Sequence, residues 1–256
     1  MTSAEPFFHQ PTEASRFEPT DFARGPWGHE SLHGHVLGGL IAHMIEQEHG
    51  DAEFQPARLT IDMFRPPTWA PVTIETRIVR TGKRVRAIDA SLIVEETEIA
   101  RGSAIMLRRA EDPDGTVWSP DPWDVPAPEE LAAPSSDRVP VWESRFISGD
   151  ENGAYRRRAW MREVRELVGS RPLSPWVRSA MAADFTNPLV NSGDAGLEFV
   201  NADYTIYLHR LPVGEWIGVE AMSHHSAAGV AVASAAFYDA QGAIGRSGVS
   251  AIANRR

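Results

Sequence analysis

The chain repeats itself. "TIDMFRPP" at 60–67 returns as "TIYLHRLP" at 205–212, so Thr60, Ile61, Arg65 and Pro67 meet Thr205, Ile206, Arg210 and Pro212. The offset is 145 positions. At that offset Glu75 meets Glu220, Val85 meets Val230, Ala90 meets Ala235, Ile99 meets Ile244 and Arg101 meets Arg246. No gap is needed anywhere from 60 to 106. A register kept over that length marks a duplicated unit, and it restricts the chain to folds built from two like halves.

Each copy opens with a helical pattern. Val36, Leu37, Leu40, Ile41, Met44 and Ile45 recur at spacings of three and four, which predicts one apolar helical stripe. In the second copy Ser174 is a good N-cap with Pro175 at the first helical position. Val177, Ala180, Met181 and Asp184 then share a face, and Asn187-Pro188 is expected to close the turn behind it. Strand-like runs follow each helix: "RLTIDMF", "VTIETRIVR", "RAIDASLIVEE" and "EIARGSAIMLRR", then "ADYTIYLH", "EWIGVEAM", "GVAVASAAFYD" and "AIGRSGVSAI". Their alternation suits antiparallel strands with one solvated face. The pattern predicts an α+β fold, a helix packed on a curved antiparallel sheet, made twice. Residues 111–140 hold seven of the nineteen prolines and are expected to be an extended linker between repeats at 1–110 and 141–256.

Composition narrows the function. With no cysteine there is no disulfide, thiolate metal site or cysteine nucleophile. A formal charge of −10 argues against non-specific nucleic-acid binding. Neither a signal peptide nor a membrane span is expected, so the expected location is the cytoplasm.

Three segments sharpen the reading. "ADFTNPL", "FVNADYTIYLHRLPVGEWIGVEA" and "AFYDAQGAIGRSGVSAI" resemble the C-terminal repeat of the acyl-CoA thioesterase II family and its thioesterase-like relatives, and "GPWGHESLHGHVLGGLIAHMIE" resembles the opening of the N-terminal repeat. The resemblance covers roughly 25–110 and 140–254. It implies a double hot-dog fold, an acyl-CoA substrate, no metal or redox cofactor, and a homo-oligomer, most simply a dimer. It also implies a catalytic aspartate at the end of the second-repeat helix, helped by a hydroxyl and a glutamine, with water held against the thioester carbonyl. The aspartate carries over to Asp184. The hydroxyl position falls on Asn201, and the glutamine position falls near Val249 or Ser250, where there is no glutamine.

The candidate catalytic set is therefore Asp184, Asn201 and Ser250, with Ser247 as the alternative hydroxyl. Burial and a helix C-terminus both disfavour a charge on Asp184, which suits a base working near neutral pH. "LHGHVLGG" places His33, His35, Val36, Gly38 and Gly39 at a helix start, where free N–H groups can hold an oxyanion and glycine lets a ligand or a strand come close. At the repeat offset Gly39 stands where Asp184 stands, so the first copy supplies shape and donors instead of a carboxylate. "RIVRTGKRVR" concentrates arginines, and Arg80, Arg84 and Arg86 are candidates for the coenzyme A phosphates. His224 and His225 are adjacent on a strand, point to opposite faces and do not read as a metal site. Trp27, Trp160, Trp176 and Trp216 read as core or interface anchors. The leading function is acyl-CoA thioester hydrolysis. The alternatives are a non-catalytic acyl-CoA-binding protein and a hot-dog enoyl-CoA hydratase, whose Asp-x-Asn-Pro-Leu-His arrangement "DFTNPLVN" approaches with one extra residue and Val190 in place of histidine.

Overall fold

The computed structural model describes residues 5–10, 15–25, 31–66, 68–133, 142–149 and 155–254. Pro67, Trp27, the rest of "PWGHE" and the end of the proline-rich stretch lie outside them. In chain order the first half holds β1 (Phe8–His9), β2 (Arg16–Pro19), α1 (Gly34–His49), β3 (Phe54–Met63), β4 (Val72–Thr81), β5 (Val85–Val94) and β6 (Thr97–Arg108). The second begins with β7 (Trp142–Ser148), β8 (Arg158–Glu163), α2 (Pro175–Asp184) and α3 (Thr186–Asn191). Then come β9 (Ser192–Gly193), β10 (Gly196–Leu197), β11 (Phe199–Asn201), β12 (Asp203–Leu208), β13 (Ile217–Ala227), β14 (Val230–Asp239) and β15 (Gly242–Ala253).

The main sheet is antiparallel, in the order β1-β2-β4-β5-β6-β3-β12-β15-β14-β13-β8-β7, with β11 beside β15. Outward from the β3–β12 seam the two sides follow one plan, and β14 and β15 start and end 145 positions after β5 and β6. At the seam Thr60 pairs with Thr205, and their hydroxyls meet at 2.9 Å. Only a residue on a two-fold axis can pair with its own repeat counterpart, so the pseudo-two-fold passes through this threonine pair. The duplication alone predicts two sheets; seam pairing joins them into one.

The buried face of the sheet follows strand alternation, as in Ile88, Ala90, Leu92 and Val94 on β5. Against it lie the helices: α1 on β4–β6, and α3 on β11 and β13–β15. α1 is more enclosed than its apolar stripe predicts, because every residue from His35 to Ile45 is buried. The sheet covers one side and α2 the other, the setting in which a helix is apolar all round. Small residues make this possible. A Cβ on Gly38 would lie 1.5 Å from Tyr204 Oη, and one on Gly39 would lie 2.7 Å from Met181 Cγ. Alanines 231, 233 and 235 on the buried face of β14 give α3 the same closeness.

Two expectations change. Asn187-Pro188 does not close a turn; it lies in α3, where proline is tolerated because a first-turn N–H has no helical partner. The stretch after β6 is extended and exposed as far as residue 122, as expected of a linker, but it is then anchored at Trp123 and Pro128. Trp123 stacks on Tyr238 at 4.2 Å and meets Trp160 edge-on, over Gly218, where any Cβ would strike its ring at 2.3 Å. Trp176 is fully buried, Trp160 nearly so, and Trp216 lies under the guanidinium groups of Arg145 and Arg162. No helix among the described residues is long and apolar enough to cross a membrane.

Candidate active site

Asp184 is the last residue of α2 and is 7% exposed. The helix starts as the sequence predicts, with Ser174 Oγ accepting from Val177 N–H at 3.1 Å. α2 runs antiparallel to α1, so its C-terminus meets the N-terminus of α1. There the Asp184 carboxylate fits against Gly34, where a Cβ would come within 3.0 Å of Oδ2. Its other oxygen, Oδ1, accepts from Asn201 Nδ2 at 2.9 Å. Burial raises the Asp184 pKa from 3.8 to about 6, against the opposing pull of the Asn201 hydrogen bond.

The structure therefore brings Asp184 and Asn201 together, and it does not bring Ser250. On β15 the buried side chains include Ser247, Val249 and Ala251. Ser250 projects from the opposite face, where its hydroxyl donates to Asp203 Oδ1 at 2.5 Å. Strand parity separates it from the aspartate. The alternative hydroxyl, Ser247, does face the helices and donates to Ala183 carbonyl at 3.4 Å.

The first turn of α1 also differs from expectation. His33 is the N-cap and Gly34 the first helical residue, so the N–H groups without helical partners are those of Gly34, His35 and Val36. Gly38 and Gly39, expected to face substrate, lie one turn further in, and protein closes their open sides. His35 N–H points at His33 Nδ1 at 3.5 Å. That nitrogen therefore carries the lone pair, and His35 Nδ1–H donates to it across 2.7 Å. His35 Nε2 lies 3.7 Å from Glu163 Oε2, both side chains being 1% exposed. Burial pushes His35 down to about 3 and Glu163 up to about 8, so near pH 7 the two are a neutral imidazole and a carboxylic acid, close but not an ion pair. Burial and His35 also hold His33 well below its ordinary value. Trp142 packs edge-on against His33, His35 and Phe185. Glu163 also lines a cavity of about 340 Å³ with Arg162, Arg165 and Arg178.

The arginine-rich hairpin is elsewhere. His49, at the far end of α1, meets Thr76 on β4 at 2.6 Å, and Arg86 pairs with Asp51 at 2.8 Å and lies over Phe54. α1 has 16 residues and spans about 24 Å, so Arg80, Arg84 and Arg86 stand a helix length from Asp184.

Sequence reasoning missed a line of amides behind Asn201. Asn187 Nδ2 donates to Asn201 Oδ1 at 3.3 Å, Asn191 Nδ2 donates to Asn187 Oδ1 at 2.8 Å, and Asn191 Oδ1 meets His224 Nδ1 at 2.7 Å. The four-residue spacing of Asn187 and Asn191 was the available signal, because it puts both on one helix face. Arg157, 2% exposed, braces this segment by donating to the carbonyls of Leu189 and Ser192. Among the described residues no group of three histidine, cysteine or acidic side chains is placed to hold a metal ion.

With this geometry in view the comparisons are specific. A family model described as the acyl-CoA thioesterase C-terminal domain matches residues 112–248, more than half of the chain. The chain belongs to the acyl-CoA thioesterase family. The model of the acyl-CoA thioesterase N-terminal domain matches residues 23–107. Solved structures agree on the fold of this acyl-CoA thioesterase family member. A TesB protein of Mycobacterium avium subspecies paratuberculosis superposes with a TM-score of 0.72 at 16% identity, covering 96% of each chain. A hot-dog protein of unknown function from Alicyclobacillus acidocaldarius gives 0.75 at 16% identity over 96% of this chain and 95% of its own. The acyl-CoA thioesterase II TesB2 of Mycobacterium marinum gives 0.65 at 13% identity over 96% of each. No curated protein matches in sequence.

Proposed function

We propose that this protein hydrolyses acyl-CoA thioesters to free acid and coenzyme A with water activated by Asp184. The observation that carries the reading is the place of that carboxylate, buried between Asn201 and the first turn of α1 in a chain of the acyl-CoA thioesterase family. Asn201 occupies Oδ1, which leaves Oδ2, the oxygen beside Gly34, to take a proton from water. The resulting hydroxide attacks the thioester carbonyl carbon, and the C=O electron pair moves to oxygen. That oxyanion faces the electropositive start of α1, where Gly34 and Val36 offer N–H donors. Collapse breaks the C–S bond, and the leaving sulfur recovers the proton from Asp184. Only water is consumed. A base whose pKa lies near 6 is well matched to this step close to neutral pH.

Arg80, Arg84 and Arg86 take no part in the water-activation step, given their distance from Asp184. The test is thiol release from acyl-CoAs of short to long chain, comparing wild type with Asp184→Asn. Hydrolysis that falls at least ~100-fold in the variant supports the base. Undiminished release moves the chemistry elsewhere. A second reading, acyl-CoA binding without turnover, is favoured by one observation: the buried face of β15 offers the apolar Val249 where the family has a glutamine. Saturable acyl-CoA affinity with no thiol release would select it.

A further inference from the structure

Asn201 is a two-faced partner for Asp184. Its amide offers an N–H₂ group on one side and a carbonyl on the other, and half a turn of the side chain exchanges them. Only the N–H₂ face suits an ionised carboxylate. What holds that face toward Asp184 is visible link by link. The Asn187 orientation is set by the backbone, since its Nδ2 also donates to the carbonyl of Phe199 at 3.1 Å. Its Oδ1 must then accept, and Asn191 Nδ2 donates to it. Asn191 Oδ1 therefore points outward and needs a donor, which is His224 Nδ1 on β13. Ser226 Oγ lies 3.3 Å from the other ring nitrogen, where its hydroxyl can donate and hold the proton on Nδ1.

Every donor in this line points toward Asp184. We infer that His224 is a positioning residue for the Asp184 site, acting through Asn191 and Asn187 to keep the Asn201 N–H₂ group on the carboxylate. The inference rests on the reading of Asp184 as the base. Two observations set the line apart from ordinary polar packing. His224 is exposed although Asn187 and Asn191 are buried and Asn201 is partly buried, so its removal need not disturb the core. The first repeat also provides an internal comparison. At the offset of 145, the counterparts of Asp184, Asn201, Asn187, Asn191 and His224 are Gly39, Pro56, Ala42, Glu46 and Val79. The line exists in the half that holds the carboxylate, and none of its members recurs in the half that lacks it.

The titratable side chain that feels the Asp184 charge is Tyr204 on β12, and His33 and His35 flank Gly34 on α1. The decisive experiment follows the Asp184 carboxyl carbon by ¹³C NMR through a pH titration of the full chain, in wild type, His224→Leu and His224→Asn. Asparagine can place an N–H donor where Nδ1 stands; leucine cannot. Wild type is expected to titrate near 6. Leucine is expected to move the midpoint up by about half a unit, as the carboxylate loses a well-aligned donor, and asparagine to restore it. Coincident titrations, or equal shifts in both variants, overturn the inference. Failure of the underlying reading shows separately: Asp184→Asn would then release thiol as fast as wild type, whatever the titrations give.

Discussion

Asp184 stands between two helix ends of opposite polarity, unfavourable at the C-terminus of α2 and favourable at the N-terminus of α1. Burial outweighs the favourable side, since its pKa rises from 3.8 to about 6. The sign for stability follows. Between those values the folded chain holds a proton that the unfolded chain has released, so stability falls as pH rises through that window. Above it the ionised carboxylate costs on the order of 3 kcal/mol. Asp184→Asn should therefore raise Tm by roughly 6 °C at pH 8 and hardly at all at pH 4, which calorimetry can check. A variant equally stabilised at both would mean that the charge is not the cause. Asp184 and Asn201 were legible in the sequence, one from helix periodicity and both from the family resemblance. Ser250 was misplaced because a single step along a strand reverses the face. Gly38 and Gly39 announce that something comes close without saying what it is. His224 could not be read as a partner of Asn191, because the two lie 33 positions apart and meet only in the fold.

At the scale of elements, the repeat offset predicted which strands correspond, and the antiparallel sheet bears this out. It was silent on the seam, because pairing between copies depends on which edge each leaves open. The helix contact gives a sharper test. Tyr204 Oη donates to Ala180 carbonyl at 3.2 Å through the gap that Gly38 leaves between α1 and α2. Gly38→Ala gains about 1 kcal/mol of helix propensity but drives a methyl into that hydroxyl. Overpacking prevails, and urea unfolding should show a net loss of about 2 kcal/mol. Gly193→Ala, where a Cβ meets nothing within 4 Å, is the control and should be close to neutral. Equal effects at the two sites would contradict the packing account.

At the scale of the whole molecule the described residues form one large antiparallel sheet with α1, α2 and α3 packed on its inner side, and its outer face is not uniformly polar. Val230, Val232 and Ile252 are each more than half exposed, and Val230 pairs with Ile252 across β14 and β15. Such a patch is a natural contact between copies, and a dimer is the expected state. Light scattering should give twice the 28.2 kDa chain mass, returning to the single mass in Val232→Glu/Ile252→Glu. A wild-type monomer would remove this expectation and leave the site chemistry untouched, since every residue assigned to the site comes from one chain.

The central claim is that Asp184, once ionised, activates the water that cleaves the thioester. The most direct test is the pH dependence of kcat/KM for thiol release from an acyl-CoA, in wild type and Asp184→Asn. The account predicts activity rising with pH through a midpoint near 6 in wild type, with both the rise and at least ~100-fold of the rate lost in the variant. A variant that kept the rate and the same rise would contradict it.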